Sequence, residues 1–230
     1  MATTPPLIAG PAEFAAQFGV SRETLGRLEL YAAELAKWQK TINLVAPSTL
    51  PDVWHRHFAD SAQLVALAPA ALPATAPNSD VVVPSTWIDL GSGAGFPGLV
   101  AAIMLAPSGR WRFTLVESDS RKAAFLRHVA RTVGVPVDNL CERAERTATR
   151  ANLAHASVIS ARALAPLTQL LALALPFAGP DTVLLLPKGR DAAAELQDAE
   201  KMWKFEYFFV PSLTDAEARV VVISRLTRRR

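Results

Sequence analysis

The chain has 230 residues, half of them hydrophobic and a fifth charged, with a formal net charge of +3. That length and apolar content suit one ordinary domain with a full core and exclude disorder along the whole chain, which needs low hydrophobicity and high net charge. A single cysteine, Cys141, excludes an intramolecular disulfide framework and a zinc site of several thiolates.

Taken in chain order, the first third reads as helical. Ser21 is placed to cap a helix, with Glu23 in the first turn, and Leu25, Leu28, Tyr31, Leu35, Trp38 and Ile42 recur at threes and fours. A second helix is expected from Asp52 to Leu67. Pro69, Pro73, Pro77 and Pro84 then punctuate an Ala/Pro-rich stretch. The predicted organisation is therefore a helical extension over 1–68, a linker over 69–85 and a second domain over 86–230.

Beyond the linker the period changes. Strands are predicted at Thr86 to Leu90, Trp111 to Val116, Leu140 to Ala144 (the weakest), Ser157 to Ala161 and Thr182 to Leu186. Helices are predicted at Pro97 to Leu105, Ser120 to Val133, Pro166 to Leu175 and Asp191 to Met202. Strands alternating with helices indicate an α/β fold with a parallel sheet covered on both faces. Two last strands, Phe205 to Val210 and Arg219 to Leu226, are joined by a connector too short for a parallel crossover, so the last is expected to run antiparallel. The aromatics Trp203, Phe205, Tyr207, Phe208 and Phe209 read mostly as core.

No apolar run approaches the roughly 20 residues of a membrane-spanning helix. No Lys or Arg precedes the short N-terminal apolar stretch, so no secretory signal is expected. The expectation is a soluble cytoplasmic protein, away from membranes. Charge is uneven: six basic and eight acidic side chains up to residue 110, eighteen and thirteen after it. The basic half, closing on Arg225, Arg228, Arg229 and Arg230, favours a polyanionic partner.

The chemistry concentrates in Asp89-Leu90-Gly91-Ser92-Gly93-Ala94-Gly95-Phe96-Pro97-Gly98, between a predicted strand and a predicted helix. Glycines let backbone amides approach a ligand, and a helix N-terminus favours a negative group. Asp89 stands where it could meet an amine or the loop amides. Glu117, ending the next strand, is placed to hold a ribose diol. Together they describe a pocket for an adenosine-bearing cofactor. Gly93 to Gly98 also fits the dinucleotide fingerprint, so a nicotinamide-dependent oxidoreductase stays open. An acid directly before three alternating glycines, and the terminal strand pair, favour S-adenosylmethionine and a methyltransferase.

These residues resemble the small-subunit ribosomal RNA methyltransferase G family. The resemblance continues in Leu115-Val116-Glu117-Ser118, Arg121-Lys122, Phe125-Leu126-Arg127, Arg143-Ala144-Glu145, Ile159-Ser160-Ala161-Arg162-Ala163 and Pro187-Lys188-Gly189, and upstream in Trp38, Asn43-Leu44 and His57-Phe58-Ala59-Asp60-Ser61. It implies a Rossmann-like class I methyltransferase that uses S-adenosylmethionine to methylate N7 of a guanine in 16S rRNA. Its partner would be the small ribosomal subunit or an assembly intermediate. It also implies that Gly91 and Phe96 line the cofactor loop, to which the glycine run adds Gly93 and Gly95, that Ala144 and Glu145 meet the adenine side, and that Arg162 sits at the cofactor or its target. Ser160-Ala161-Arg162 departs from relatives that put Ser directly before Arg.

Arg162 and Lys188 are the catalytic candidates. Lys188, Arg190, Arg121, Arg127 and His57 are candidates for RNA contact, against the alternative of solvated charges and a structural His57. His55, His57, His128 and His155 offer no metal-ligand spacing, so no metal is expected, and a monomer is. A small-molecule methyltransferase and a non-catalytic RNA-binding module remain the other readings.

Overall fold

The computed structural model describes residues 7–68, 84–147 and 155–229. The stretch from 69 to 83, most of the expected linker, lies outside the described residues, as does Arg230. The strands are β1 (Ser85–Leu90), β2 (Trp111–Val116), β3 (Asp138–Leu140), β4 (Ala156–Ser160), β5 (Ala178–Lys188), β6 (Trp203–Pro211) and β7 (Arg219–Arg228). They form one sheet in the order β3-β2-β1-β4-β5-β7-β6. β1 to β5 pair in parallel, and β7 runs antiparallel to both β5 and β6, as the short final connector required.

The helices are α1 (Pro11–Phe18), α2 (Arg22–Trp38), α3 (Asp60–Leu67), α4 (Gly98–Leu105), α5 (Ser120–Thr132), α6 (Ala144–Thr147), α7 (Leu167–Ala174) and α8 (Ala192–Glu200). Successive strand residues point to opposite faces. Trp87, Phe113, Leu115 and Val158 therefore pack with α2 to α5, while Ile88, Leu90, Val116 and Ile159 pack with α7 and α8. Tyr31 of α2 and Phe58 lie in the same apolar cluster as Trp87 and Phe113. The N-terminal helices thus share a core with the sheet, and each large side chain fully buried there contributes roughly 1.5–3 kcal/mol.

Several expectations are corrected. α1 was not foreseen; it ends at Gly19, whose φ of 62° gives the left-handed cap that admits a sharp turn into α2. Ser21 caps α2 as expected, accepting from the Thr24 amide at 3.1 Å. The helix stops at Trp38, short of Ile42, because the Gln39 side chain accepts from the Leu44 and Val45 amides at 3.0 Å each. The helix expected from Asp52 opens instead with a π-helical turn, Trp54–Ala59, which buries Trp54, His57 and Phe58 before α3 begins. The third strand ends at Leu140, and Ala144 starts α6. β6 is an edge strand, so of its aromatics Trp203 is buried while Tyr207 and Phe208 are 42% and 57% exposed.

Candidate functional site

The glycine loop joins β1 to α4 at the carboxyl edge of the sheet, and Asp89 anchors it from below. The Asp89 carboxyl is fully buried and lines no cavity of the site. One oxygen accepts from Ser160 Oγ at 2.6 Å, which in turn accepts from the Trp87 indole at 2.8 Å; the other accepts from the Gly98 amide at 3.2 Å. The expected contact of Asp89 with a ligand amine is therefore not offered. The residue ties β1, β4 and the start of α4 into one unit.

Burial pushes the Asp89 carboxyl up to about 6, against the hydrogen bonds that favour its ionised form. A carboxyl raised in the fold above its unfolded value stabilises most at low pH, and that contribution falls as pH rises toward the raised value. Relative to Asp89→Asn, the natural protein should gain about 2 kcal/mol between pH 7 and pH 4. Urea unfolding of both proteins at the two pH values checks this, and an unchanged difference would contradict it.

The loop glycines do different work. Gly93 has φ +56°, and a Cβ there would meet nothing nearer than the Gly91 carbonyl at 3.8 Å, so its backbone faces open space. At Gly95, with φ +97°, a Cβ would lie 2.6 Å from the Tyr31 hydroxyl and 2.9 Å from Leu99 Cβ. Tyr31 donates to the Ala94 carbonyl and stacks on Phe96, so α2 holds the loop from behind. Gly95 is thus a packing glycine, whereas the space beside Gly93 is left open.

Glu117 follows β2 and is 8% exposed. Its two oxygens accept from the Gly93 and Asp119 amides, each at 2.7 Å, which fixes the carboxylate on the wall of a cavity of about 370 Å3 together with Phe96, Lys122 and Arg162. A neighbouring cavity of about 270 Å3 is lined by Val116, Ser118, Ala144, Glu145 and Leu173. Both reach Gly91 and Leu164, and Leu164 sits directly over Gly91. An anchored acid, a partly apolar slot and the open backbone at Gly93 fit an adenosine-bearing cofactor such as S-adenosylmethionine.

Arg162 follows β4 and lies over the Phe96 ring, 5.2 Å from its centroid. One guanidinium nitrogen donates to Asp60 at 3.1 Å and to the Arg56 carbonyl at 3.3 Å, and the other donates to His57 Nδ1 at 3.0 Å. Burial, then the positive charges of Arg162 and Arg56, lower His57 to about 3, so its imidazole is neutral. With Nδ1 accepting, Nε2–H donates to Thr49 Oγ at 2.7 Å, and that hydroxyl donates to the Ala46 carbonyl at 2.7 Å. His57 also stacks on Phe96, with centroids 5.0 Å apart. The site therefore aims Arg162 through two side chains, Asp60 and His57, and one backbone carbonyl, all from the N-terminal third.

The basic candidates separate. Lys188 does not project into solvent: its ammonium lies 2.8 Å from Glu195 and donates to the Ala165 carbonyl at 3.3 Å. His57 is held inside. Arg190 and Arg121 are exposed, near Glu217 and Asp119 respectively, and Arg127 is exposed on α5. Sequence reasoning missed Leu164, Thr49 and Tyr31; none carries a motif, and each matters through what the fold places beside it. No described helix is long and apolar enough to cross a membrane, and the described residues contain no group of three or more His, Cys, Asp or Glu able to hold a metal.

Among solved structures, the fold is similar to a Listeria monocytogenes protein described as a class I S-adenosylmethionine-dependent methyltransferase (TM-score 0.56, 13% identity, 95% of this chain and 72% of that one). It is also similar to MtNAS in complex with MTA and tNA (TM-score 0.52, 16% identity, 93% and 75%). In sequence, the chain is 49% identical over 217 residues to the ribosomal RNA small subunit methyltransferase G of Rhodospirillum centenum, covering 94% of this chain and 91% of that protein. It is 46% identical over 209 residues to that of Methylorubrum extorquens strain PA1, covering 91% and 92%. The model of the family described as rRNA small subunit methyltransferase G matches residues 24–222, nearly the whole length that carries the loop, Glu117 and the Arg162 network, so the chain belongs to that family.

Proposed function

We propose that this rRNA small subunit methyltransferase holds S-adenosylmethionine in the paired cavities around Gly91 and methylates N7 of a guanine in 16S rRNA. The substrate would be the RNA in the cytoplasmic small subunit or in an assembly intermediate. The observation that carries the reading is the position of Arg162, which lines both the cofactor cavity and a larger cavity beside it. Glu117 would hold the ribose, Ala144 and Glu145 the adenine side, and Gly91, Gly93 and Phe96 the methionine side of the loop. The cofactor supplies a methyl group activated on a sulfonium.

N7 of guanine presents an in-plane lone pair and no proton. It forms the new N–C bond while the C–S pair returns to sulfur, and positive charge moves onto the base with no proton lost. No general base is needed, and the site accords with that: both His57 nitrogens are engaged, and Asp89 is sealed beneath the loop. What the chain must supply is alignment, a proximity effect. Arg121, Arg127 and Arg190, all exposed, would meet RNA phosphate.

The test is transfer from labelled S-adenosylmethionine to 16S rRNA from cells lacking this protein, offered deproteinised, partly assembled and in complete subunits. Label recovered as 7-methylguanosine in any form is the expected result. Binding of S-adenosylhomocysteine without label in any form would move the reading to a small-molecule acceptor.

A further inference from the structure

The larger cavity, about 820 Å3, lies beside the cofactor cavities. It sits at the carboxyl ends of β4 and β5, where open α/β sheets take ligands. Five stretches of chain wall it: the turn ending at Thr49, the π-helical turn with the start of α3, the segment after β4, the stretch from β5 into α8, and the β6–β7 connection. It shares Arg162, Ala163 and Leu164 with the loop cavity and no other residue. Its volume falls within the roughly 300–1,000 Å3 of small-molecule sites, which suits one nucleotide unit and not a duplex.

The charges on its wall say which ligand it takes. Its three cations are matched: Arg162 with Asp60 at 3.1 Å, Lys188 with Glu195 at 2.8 Å and Arg56 with Asp215 at 3.8 Å. Asp191, just before α8, also lines the cavity and has no cation paired with it among the described residues. A phosphate would meet only matched cations and one unmatched carboxylate, so the lining disfavours an anion. It favours a flat neutral group that accepts hydrogen bonds on one edge, donates on another and becomes positive on reaction.

We propose that this cavity is the acceptor pocket and takes a single extruded guanine, its O6 toward Arg162, its N7 left facing the cofactor cavity, and its N1–H and 2-amino edge toward Asp191. The inference rests on the reaction proposed above and adds where the base sits and what selects it. Enzymes that modify a base must bring it out of the stack. Guanine offers an acceptor at O6, which matches the Arg162 donors, whereas adenine would turn its 6-amino donor toward them; the N7 lone pair stays free to attack the methyl group. Discrimination then comes from a donor–donor conflict as well as from attraction. The Asp191 carboxylate accepts from the far edge and stabilises the positive charge that methylation leaves on the ring.

Two plugs and one truncation test this. Gly189 lines the pocket, and a Cβ there meets nothing within 4 Å, so Gly189→Trp fills the space without a backbone clash. Ala218→Trp fills it from the β6–β7 connection and serves if the first variant does not fold. A folded plug should bind S-adenosylhomocysteine within about twofold of the natural protein by calorimetry, yet form 7-methylguanosine at least about 50-fold more slowly. Asp191→Ala should lower kcat/KM for the RNA by about tenfold at unchanged S-adenosylhomocysteine affinity, with partial recovery in Asp191→Glu. A folded plug that transfers methyl within about threefold of the natural rate, or an unchanged kcat/KM in Asp191→Ala, overturns the pocket. A natural protein that binds S-adenosylhomocysteine but forms no 7-methylguanosine would instead overturn the reaction, and the pocket's occupant with it.

Discussion

Gly93→Leu should abolish cofactor binding in a folded protein, whereas Gly95→Ala, the smaller change, should damage the fold. At Gly93 a side chain enters open space at the loop cavity, and its left-handed backbone costs about 1–2 kcal/mol. S-adenosylhomocysteine affinity is expected to fall at least about 100-fold, since a leucine would fill the space a ligand needs beside Glu117. At Gly95 even a methyl group lies 2.6 Å from the Tyr31 hydroxyl and 2.9 Å from Leu99 Cβ, in a fully packed region. Overpacking and the positive φ together should cost about 3 kcal/mol, or roughly 10 °C in Tm for a protein of this size. Calorimetric binding and thermal unfolding of the two variants decide the matter. Equal binding by Gly93→Leu, or an unshifted Tm in Gly95→Ala, would show that the two glycines have been assigned the wrong roles.

The second large effect is expected at the imidazole that aims Arg162. His57→Ala removes the acceptor for one guanidinium nitrogen and the stack on Phe96. A hydrogen bond to a charged group contributes about 1.5–3 kcal/mol, so kcat should fall roughly 10–100-fold while KM for S-adenosylmethionine stays within about threefold. His57→Asn can present its carbonyl oxygen to Arg162 and should recover part of kcat, a recovery that simple loss of core packing would not produce. Arg162→Lys should not substitute, because a compact ammonium cannot reproduce the two separated guanidinium nitrogens, one on Asp60 and the Arg56 carbonyl and the other on His57. If His57→Asn proved as slow as His57→Ala, the role of His57 would be packing alone.

The strand–helix alternation and the glycine run of this chain were legible because both are local. Hydrophobic period distinguishes strand from helix within a short window, and a loop between a strand end and a helix start must lie at the carboxyl edge of a parallel sheet. The short connector between the last two strands likewise limited β7 to antiparallel pairing. That much the amino-acid order determined by itself, together with Glu117 as the acid ending the second strand, and the set of ordered matches that points to the family.

Tertiary structure decided which of those residues face a ligand. Asp89 and Glu117 both stand at strand ends, yet one is sealed under the loop by Ser160 and Gly98 while the other lines a cavity. Lys188 reads as a free cation until Glu195, on the following helix, is brought to its ammonium. Gly93 and Gly95 are equivalent in the motif and differ because Tyr31, more than sixty positions earlier, packs behind only one of them. His57 reads as an ordinary imidazole until the π-helical turn buries it between Thr49 and Arg162. In each case the deciding contact joins side chains whose relative placement no local period encodes, because burial and pairing depend on how whole elements pack.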